Sequence, residues 1–145
     1  MWSIVMEPVE VVKQIYEAFG RGDIPGVLSR VTPDVSWIDP GFPDVPYAGV
    51  RGGREGVADF FQSLRVHVEF TSFEPITFVT SGPDVVVFGE LEGRDRHTGA
   101  RFRSDWAMRW KVQNGLVTFH QSYADTSAIA RALGTVRPIL MEAAG

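Results

Sequence analysis

An α+β domain, with helices packed on one face of a curved, mostly antiparallel sheet, is predicted by three observations. Helical periodicity is confined to the first half of the chain, β-type runs fill the second half, and turn formers separate those runs at meander spacing. From Pro8 to Gly20 the apolar residues Val9, Val12, Ile15, Tyr16 and Phe19 recur at three- and four-residue steps. Pro8 suits a first helical turn, and the glycines at 20 and 22 stop the helix. Asp23 is placed to cap a short second helix through Val31. Val35 to Asp39 reads as a first strand, and the Gly- and Pro-rich stretch 40–54 as irregular. Val57, Phe60, Phe61 and Leu64 give a third helix. Strand-like runs follow at 66–73, 75–80, 84–92, 100–112 and 116–124, broken by Ser81-Gly82-Pro83 and by the hairpin signal Asn114-Gly115.

Composition narrows the function classes. At 145 residues, one domain over 1–134 is expected, with a short tail over 135–145. The formal net charge of −4, with no basic stripe interleaved with aromatics, argues against nucleic acid as a partner. The absence of cysteine excludes thiolate nucleophiles, disulfides and Cys-based metal sites. No basic leader and no membrane-length apolar run is seen, so a cytoplasmic protein without membrane association is expected. His67, His97 and His120 are far apart in sequence with no i, i+4 partner, so no metal is expected; His120 neighbours the pocket only if the last strand's register allows it. The glycines of GVRGGREGV lack the Lys-Ser/Thr ending of a phosphate loop and read as a helix entry.

Three aspartates carry the functional argument: Asp39 in WIDPG, Asp105 in FRSDWAMRW and Asp125 in FHQSYADT. Each lies in or at the end of a strand-like run, a poor place for a carboxylate unless something holds or uses it. Alternation from 101 to 112 puts Arg101, Arg103, Asp105, Ala107 and Arg109 on one face and Phe102, Trp106, Met108 and Trp110 on the other. Two assignments are open. If the polar face lines a pocket, the Trp106, Met108 and Trp110 face lies outside and would be covered by a second copy in a homodimer. In the opposite assignment the aromatic face is core, and the arginines with Asp105 are solvated. Asp125 likewise reads either as a pocket group or as the cap of a last helix running to Leu133, and Asp39 either as a pocket group or as a turn former.

The order of a helix ending GRGD, a short helix, a strand ending WIDPG, an irregular loop, the helix GREGVADFFQSL and a long meander resembles the nuclear transport factor two-like superfamily, over roughly residues 7–134. Its ketosteroid isomerase and SnoaL-like polyketide cyclase branches look closest. The resemblance implies a cone-shaped roll, a mixed or antiparallel curved sheet with three N-terminal helices on its concave face. By the same resemblance Asp39 matches the isomerases' proton-shuttling base, and Asp105 matches the acid that hydrogen-bonds the developing oxyanion. The isomerases' oxyanion tyrosine falls at Ile15, with Tyr16 one residue out of register. Arg103, Asp105 and Asp125 also resemble the arginine-bridged aspartate pair of limonene epoxide hydrolase, a further branch. The expected protein is a cofactor-free acid/base enzyme, or a noncatalytic binder or scaffold of the same fold. Its pocket, lined by Tyr16, Phe19, Trp37, Phe60, Phe61 and Tyr123, would take a small, largely apolar, oxygen-bearing molecule such as a polyketide, terpenoid or steroid-like ketone.

Overall fold

The computed structural model describes residues 6–136. Of the tail, only 135 and 136 fall among them, so a placement of that segment across the pocket mouth lies outside the described residues. Helix α1 spans Pro8–Gly20; of the expected stripe Val12 and Ile15 are buried and Val9, Tyr16 and Phe19 are partly buried against the core, while Val11 and Ala18 are buried as well. Helix α2, Ile24–Leu28, starts at Asp23, whose carboxylate accepts the Gly26 N–H at 2.9 Å. It ends earlier than expected, because Val31 already begins strand β1, Val31–Asp39. Inside the stretch expected to be irregular, Gly49–Gly52 forms a short strand, β2, antiparallel to β1. Helix α3, Gly53–His67, buries Val57, Phe60, Phe61 and Leu64.

The meander is as expected, with one merger. The runs at 66–73 and 75–80 form a single strand, β3, Val68–Ser81, whose pairing is irregular between Pro75 and Thr77. Because β3 is an edge strand, the missing N–H of Pro75 is tolerated there. Strands β4 (Asp84–Asp95), β5 (Arg101–Gln113) and β6 (Leu116–Ala124) follow, all antiparallel neighbours in sequence order. Asn114 and Gly115, with φ of 52° and 79°, make the tight turn between β5 and β6. A fourth short helix, α4 (Thr126–Ala132), closes the described chain.

The sheet order β2-β1-β6-β5-β4-β3 places the last strand beside the first, and that β1–β6 pair is parallel. The sheet is therefore mixed, curved and unclosed. One cluster of buried apolar side chains, from Val11 on α1 to Ala130 on α4, fills the space between helices and sheet. No described helix is long and apolar enough to cross a membrane.

His67 and His97, distant in sequence, meet in the fold with ring centroids 6.0 Å apart. Asp95 beside them accepts the N–H groups of His97 and Thr98 and so holds a turn, and no group of metal-ligating side chains forms among the described residues.

Candidate active site

Between the helices and the concave face lies a cavity; the space among its lining residues, its open mouth included, is about 740 Å³. Strand alternation decides what lines it. On β1, Trp37 and Asp39 point inward; on β6, His120, Ser122 and Ala124 do; on β5, Trp106, Met108 and Trp110 do. The helices contribute Ile15, Tyr16 and Phe19 from α1 and Phe60, Phe61 and Leu64 from α3. Of the six aromatics expected there, five line the cavity. Tyr123 does not: between two inward residues of β6 it faces outward and stays 44% exposed.

The aromatics pack as one continuous lining. Trp37 lies 5.7 Å, centroid to centroid, from both Phe60 and Phe61, and Phe73 stacks on Trp106 at 4.9 Å. Tyr16 takes the Trp110 Nε1–H on its hydroxyl oxygen at 3.0 Å and points that hydroxyl at the Met108 sulfur, 3.2 Å away. Burial pushes the Tyr16 phenol well above its ordinary pKa, so the hydroxyl stays neutral.

Asp39 is the only carboxylate among the lining residues. Burial pushes its pKa up to about 7, while the Ser122 hydroxyl and the charge of Arg51 on β2 pull the other way. Asp39 keeps part of its surface open, consistent with a carboxyl that meets solvent through the cavity rather than on the outside. Tyr47 stands beside it, its phenol raised by burial and by the Asp39 charge. Tyr47 lies in the Gly- and Pro-rich segment, where no periodicity marks a side chain as inward.

His120 is the lining residue that sequence reasoning left undecided. It is 1% exposed, its ring stacked on Trp37 at 3.9 Å and against Trp110 at 4.3 Å. Neither ring nitrogen has a hydrogen-bond partner among the described residues, and burial lowers its pKa to about 3, so the imidazole is uncharged at neutral pH.

The other predicted groups are elsewhere. Asp105 does pair with Arg103, at 3.1 Å, but on the convex, outer face of the sheet, where Glu90 shares the guanidinium at 3.4 Å. The Asp105 side chain is 79% exposed, so it does not share the cavity with Asp39. This is the second of the two assignments of β5: Trp106 and Trp110 are buried and Met108 is half-buried against the core. These three therefore cannot form an outer dimer surface; a dimer through that face would rest instead on the half-exposed Phe88 and Tyr123, which flank Ala107 in the ladder.

Asp125 caps α4, its carboxylate accepting the Ala128 N–H at 3.0 Å and the Ser127 hydroxyl at 2.9 Å. Those bonds hold its pKa below the usual aspartate value. Its own N–H donates to Ser104 Oγ, which fixes the start of α4 against β5. Arg103 therefore bridges Asp105 to Glu90 and not to Asp125, and the arrangement expected of an epoxide hydrolase does not form. Asp125→Ala should lower the melting temperature by a few degrees, as lost helix caps do, while leaving ligand binding in the cavity unchanged. A binding defect at unaltered melting temperature would instead return Asp125 to the site.

Close approach of backbone to ring shapes the cavity floor. A Cβ at Gly89 on β4 would collide with the Trp106 ring and with the Glu74 carbonyl oxygen. Gly89→Ala should therefore cost about 1–3 kcal/mol by overpacking and tilt Trp106; chemical denaturation reads the first and near-ultraviolet dichroism the second.

A curved sheet roofed by helices over an aromatic cavity with a single lining carboxylate is the cone fold of NTF2-like proteins. The model of the SnoaL-like domain matches residues 12–120, and the chain belongs to this family. It is similar to an NTF2-like protein from Burkholderia xenovorans, at 37% identity over 87% of this chain and 95% of that one, with a TM-score of 0.79. An NTF2-like protein of unknown function from Burkholderia pseudomallei is 29% identical over 88% of this chain and 98% of its own, with a TM-score of 0.81. TerC, co-crystallised with polyporic acid, is 27% identical over 88% of this chain and 98% of its own, with a TM-score of 0.77. No curated protein matches the chain.

Proposed function

We propose that the protein is a cofactor-free acid/base enzyme that moves a proton next to a carbonyl in a small, largely apolar, oxygen-bearing substrate. The observation that carries this reading is the lone Asp39 carboxyl facing an aromatic cavity with its pKa raised to about 7. A base works best when its pKa lies near the working pH, and burial has moved this carboxyl there from an ordinary value of 3.8. Arg51 and Ser122 supply the counterweight that lets it ionise at all. The lining is otherwise mostly rings and aliphatic side chains, which suits a flat, apolar body. The similar TerC structure, which holds polyporic acid, supports an oxygenated aromatic ligand of this kind.

A noncatalytic binding protein of the same fold is the second reading. It is favoured by the Tyr16 hydroxyl, already engaged by Trp110 and Met108 rather than held ready for a substrate oxygen. Hydrogen exchange separates the two readings. With 2-tetralone in heavy water, an enzyme of the proposed kind speeds the loss of the α-proton NMR signal in a saturable way. A binder slows that loss or leaves it unchanged, and that outcome would overturn the enzymatic reading.

A further inference from the structure

Buried polar atoms in folded proteins nearly always find partners, and a buried group without one marks either a cost accepted for function or a place where something else binds. Among the described residues, four of the six unpartnered buried side-chain atoms belong to three rings of the cavity wall: His120 Nδ1 and Nε2, Trp37 Nε1 and Trp106 Nε1. The concentration is specific to this wall. Trp110, the remaining cavity tryptophan, has its N–H satisfied by Tyr16. His120 is the extreme case, because both of its nitrogens are orphaned while its ring is stacked on the Trp37 indole and has the Trp110 indole tilted against it. Packing alone does not account for it: a phenylalanine would pack against Trp37 and Trp110 without leaving two polar atoms unpaired.

We propose that His120 is the group that takes the ligand's oxygen, so that the cavity selects flat aromatic molecules carrying a carbonyl or hydroxyl over the bare hydrocarbon. This rests on the proton-transfer reading of Asp39 for its chemistry, though not for the binding preference itself. A neutral imidazole offers one N–H donor and one acceptor nitrogen, which suits either a carbonyl or a hydroxyl. The stacking indoles fix the plane of the ring and hence the direction of its two edges. In the reaction, Asp39 removes the α-proton, the C–H electron pair becomes the enolate double bond, and charge gathers on the former carbonyl oxygen. The His120 N–H hydrogen-bonds that oxygen and keeps its own proton. Asp39 then returns the proton to carbon, so nothing is gained or lost overall. An uncharged imidazole is a competent partner for such an oxygen, since its N–H strengthens its hydrogen bond as the negative charge develops. A discrimination of this sort is large because the site's polar atoms remain unpaired when the analogue lacks its oxygen.

The test compares 2-naphthol with naphthalene, two bodies of the same shape that differ by one hydroxyl. By NMR titration, the unaltered protein is expected to bind 2-naphthol about tenfold more tightly, the usual size of one buried hydrogen bond made against one left open. In His120→Phe the affinity for naphthalene should be retained and the preference should shrink to about twofold or less; His120→Gln, which keeps a donor and an acceptor, should recover part of it. In protein labelled with 15N-histidine, the His120 ring nitrogens should shift on addition of 2-naphthol and stay in place with naphthalene, a readout that needs no variant to fold. Equal binding of the two probes by the unaltered protein, or a preference that survives in His120→Phe with unmoved ring nitrogens, overturns the assignment. If that happens while 2-tetralone still exchanges its α-protons on the protein, His120 loses its role and Asp39 keeps its own. Failure of 2-naphthol to bind overturns the assignment of His120, and the exchange of 2-tetralone then decides Asp39 by itself.

Discussion

Asp39→Asn is expected to slow the exchange of 2-tetralone α-protons by about 10²- to 10⁴-fold, the usual contribution of a positioned general base. Asparagine has nearly the same shape, so the cavity persists and the loss reports on proton transfer alone. In the unaltered protein the exchange rate should climb with pH and level off above about 7, because only the ionised carboxylate accepts a proton and its pKa is held near that value. The variant should show no such step. The folded variant should also be no less stable at pH 8, since the ionised carboxylate it replaces is one that burial disfavours. A variant that retains the rate within tenfold, or a profile without a step near neutrality, would falsify the assignment of Asp39 as the base.

Stability should show a compensation between the same two groups that frame the cavity. The folded-state pKa of Asp39, about 7, lies above its ordinary 3.8. The folded protein therefore keeps a proton that the unfolded chain has released, and the associated stability is present below about pH 4 and is lost as pH rises to about 7. His120 works in the opposite sense. Its folded-state pKa is about 3 against an ordinary 6.5, so the unfolded chain takes the proton first and stability is lost as pH falls below 6.5. Between about pH 4.5 and 6 the two slopes oppose each other, each worth about 1.4 kcal/mol per pH unit. Asp39→Asn should remove one of them and lose about 2 kcal/mol relative to the unaltered protein on going from pH 6 to 4.5. His120→Phe should gain a similar amount over the same interval. Asp95 and Asp125, whose pKa values are lowered, tilt all three proteins alike, so the differences carry the test. Urea titrations at the two pH values measure them, and parallel profiles for all three proteins would show that neither group is buried as described.

How much of this was legible from the residues differs by element. Helix α1 was readable to the residue, because five apolar positions at helical spacing lie between a first-turn proline and a glycine stop. The Asn114-Gly115 turn was readable because few residues other than these two adopt the left-handed backbone it needs. Asp39 was found by its place at the end of a strand and by family resemblance, and its neighbours on α1 and α3 by their periodicity.

The largest failure has one cause. Strand β5 alternates cleanly, so its sequence presents two coherent faces and says nothing about which one meets the helices. That single ambiguity carried Arg103 and Asp105 into the predicted site and Trp106, Met108 and Trp110 out of it. The burial of His120 depends on the pairing of β6 with β1, a contact between residues far apart in the chain, and a lone histidine has no local signature to reveal it. Asp125 was ambiguous for a different reason: a cap and a pocket acid at a strand end look alike until the hydrogen bonds of the following turn are seen.

The parallel pairing of β1 with β6 also has a bearing on the order in which the protein can assemble. Trp37 stands beside His120 in that register, and Asp39 draws on Ser122 two residues further along. Everything that gives the aspartate its environment on that side is thus supplied by β6, the last of the described strands to be synthesised, after the meander that precedes it. Contacts this distant in sequence are slow to form. Until β6 slots in, β1 has only the four-residue β2 as a sheet neighbour, and the carboxyl lacks the cover that β6 supplies. Completion of the fold and the burial of Asp39 on that side are therefore one event, and a chain caught before it carries the residues of the cavity without the environment they share.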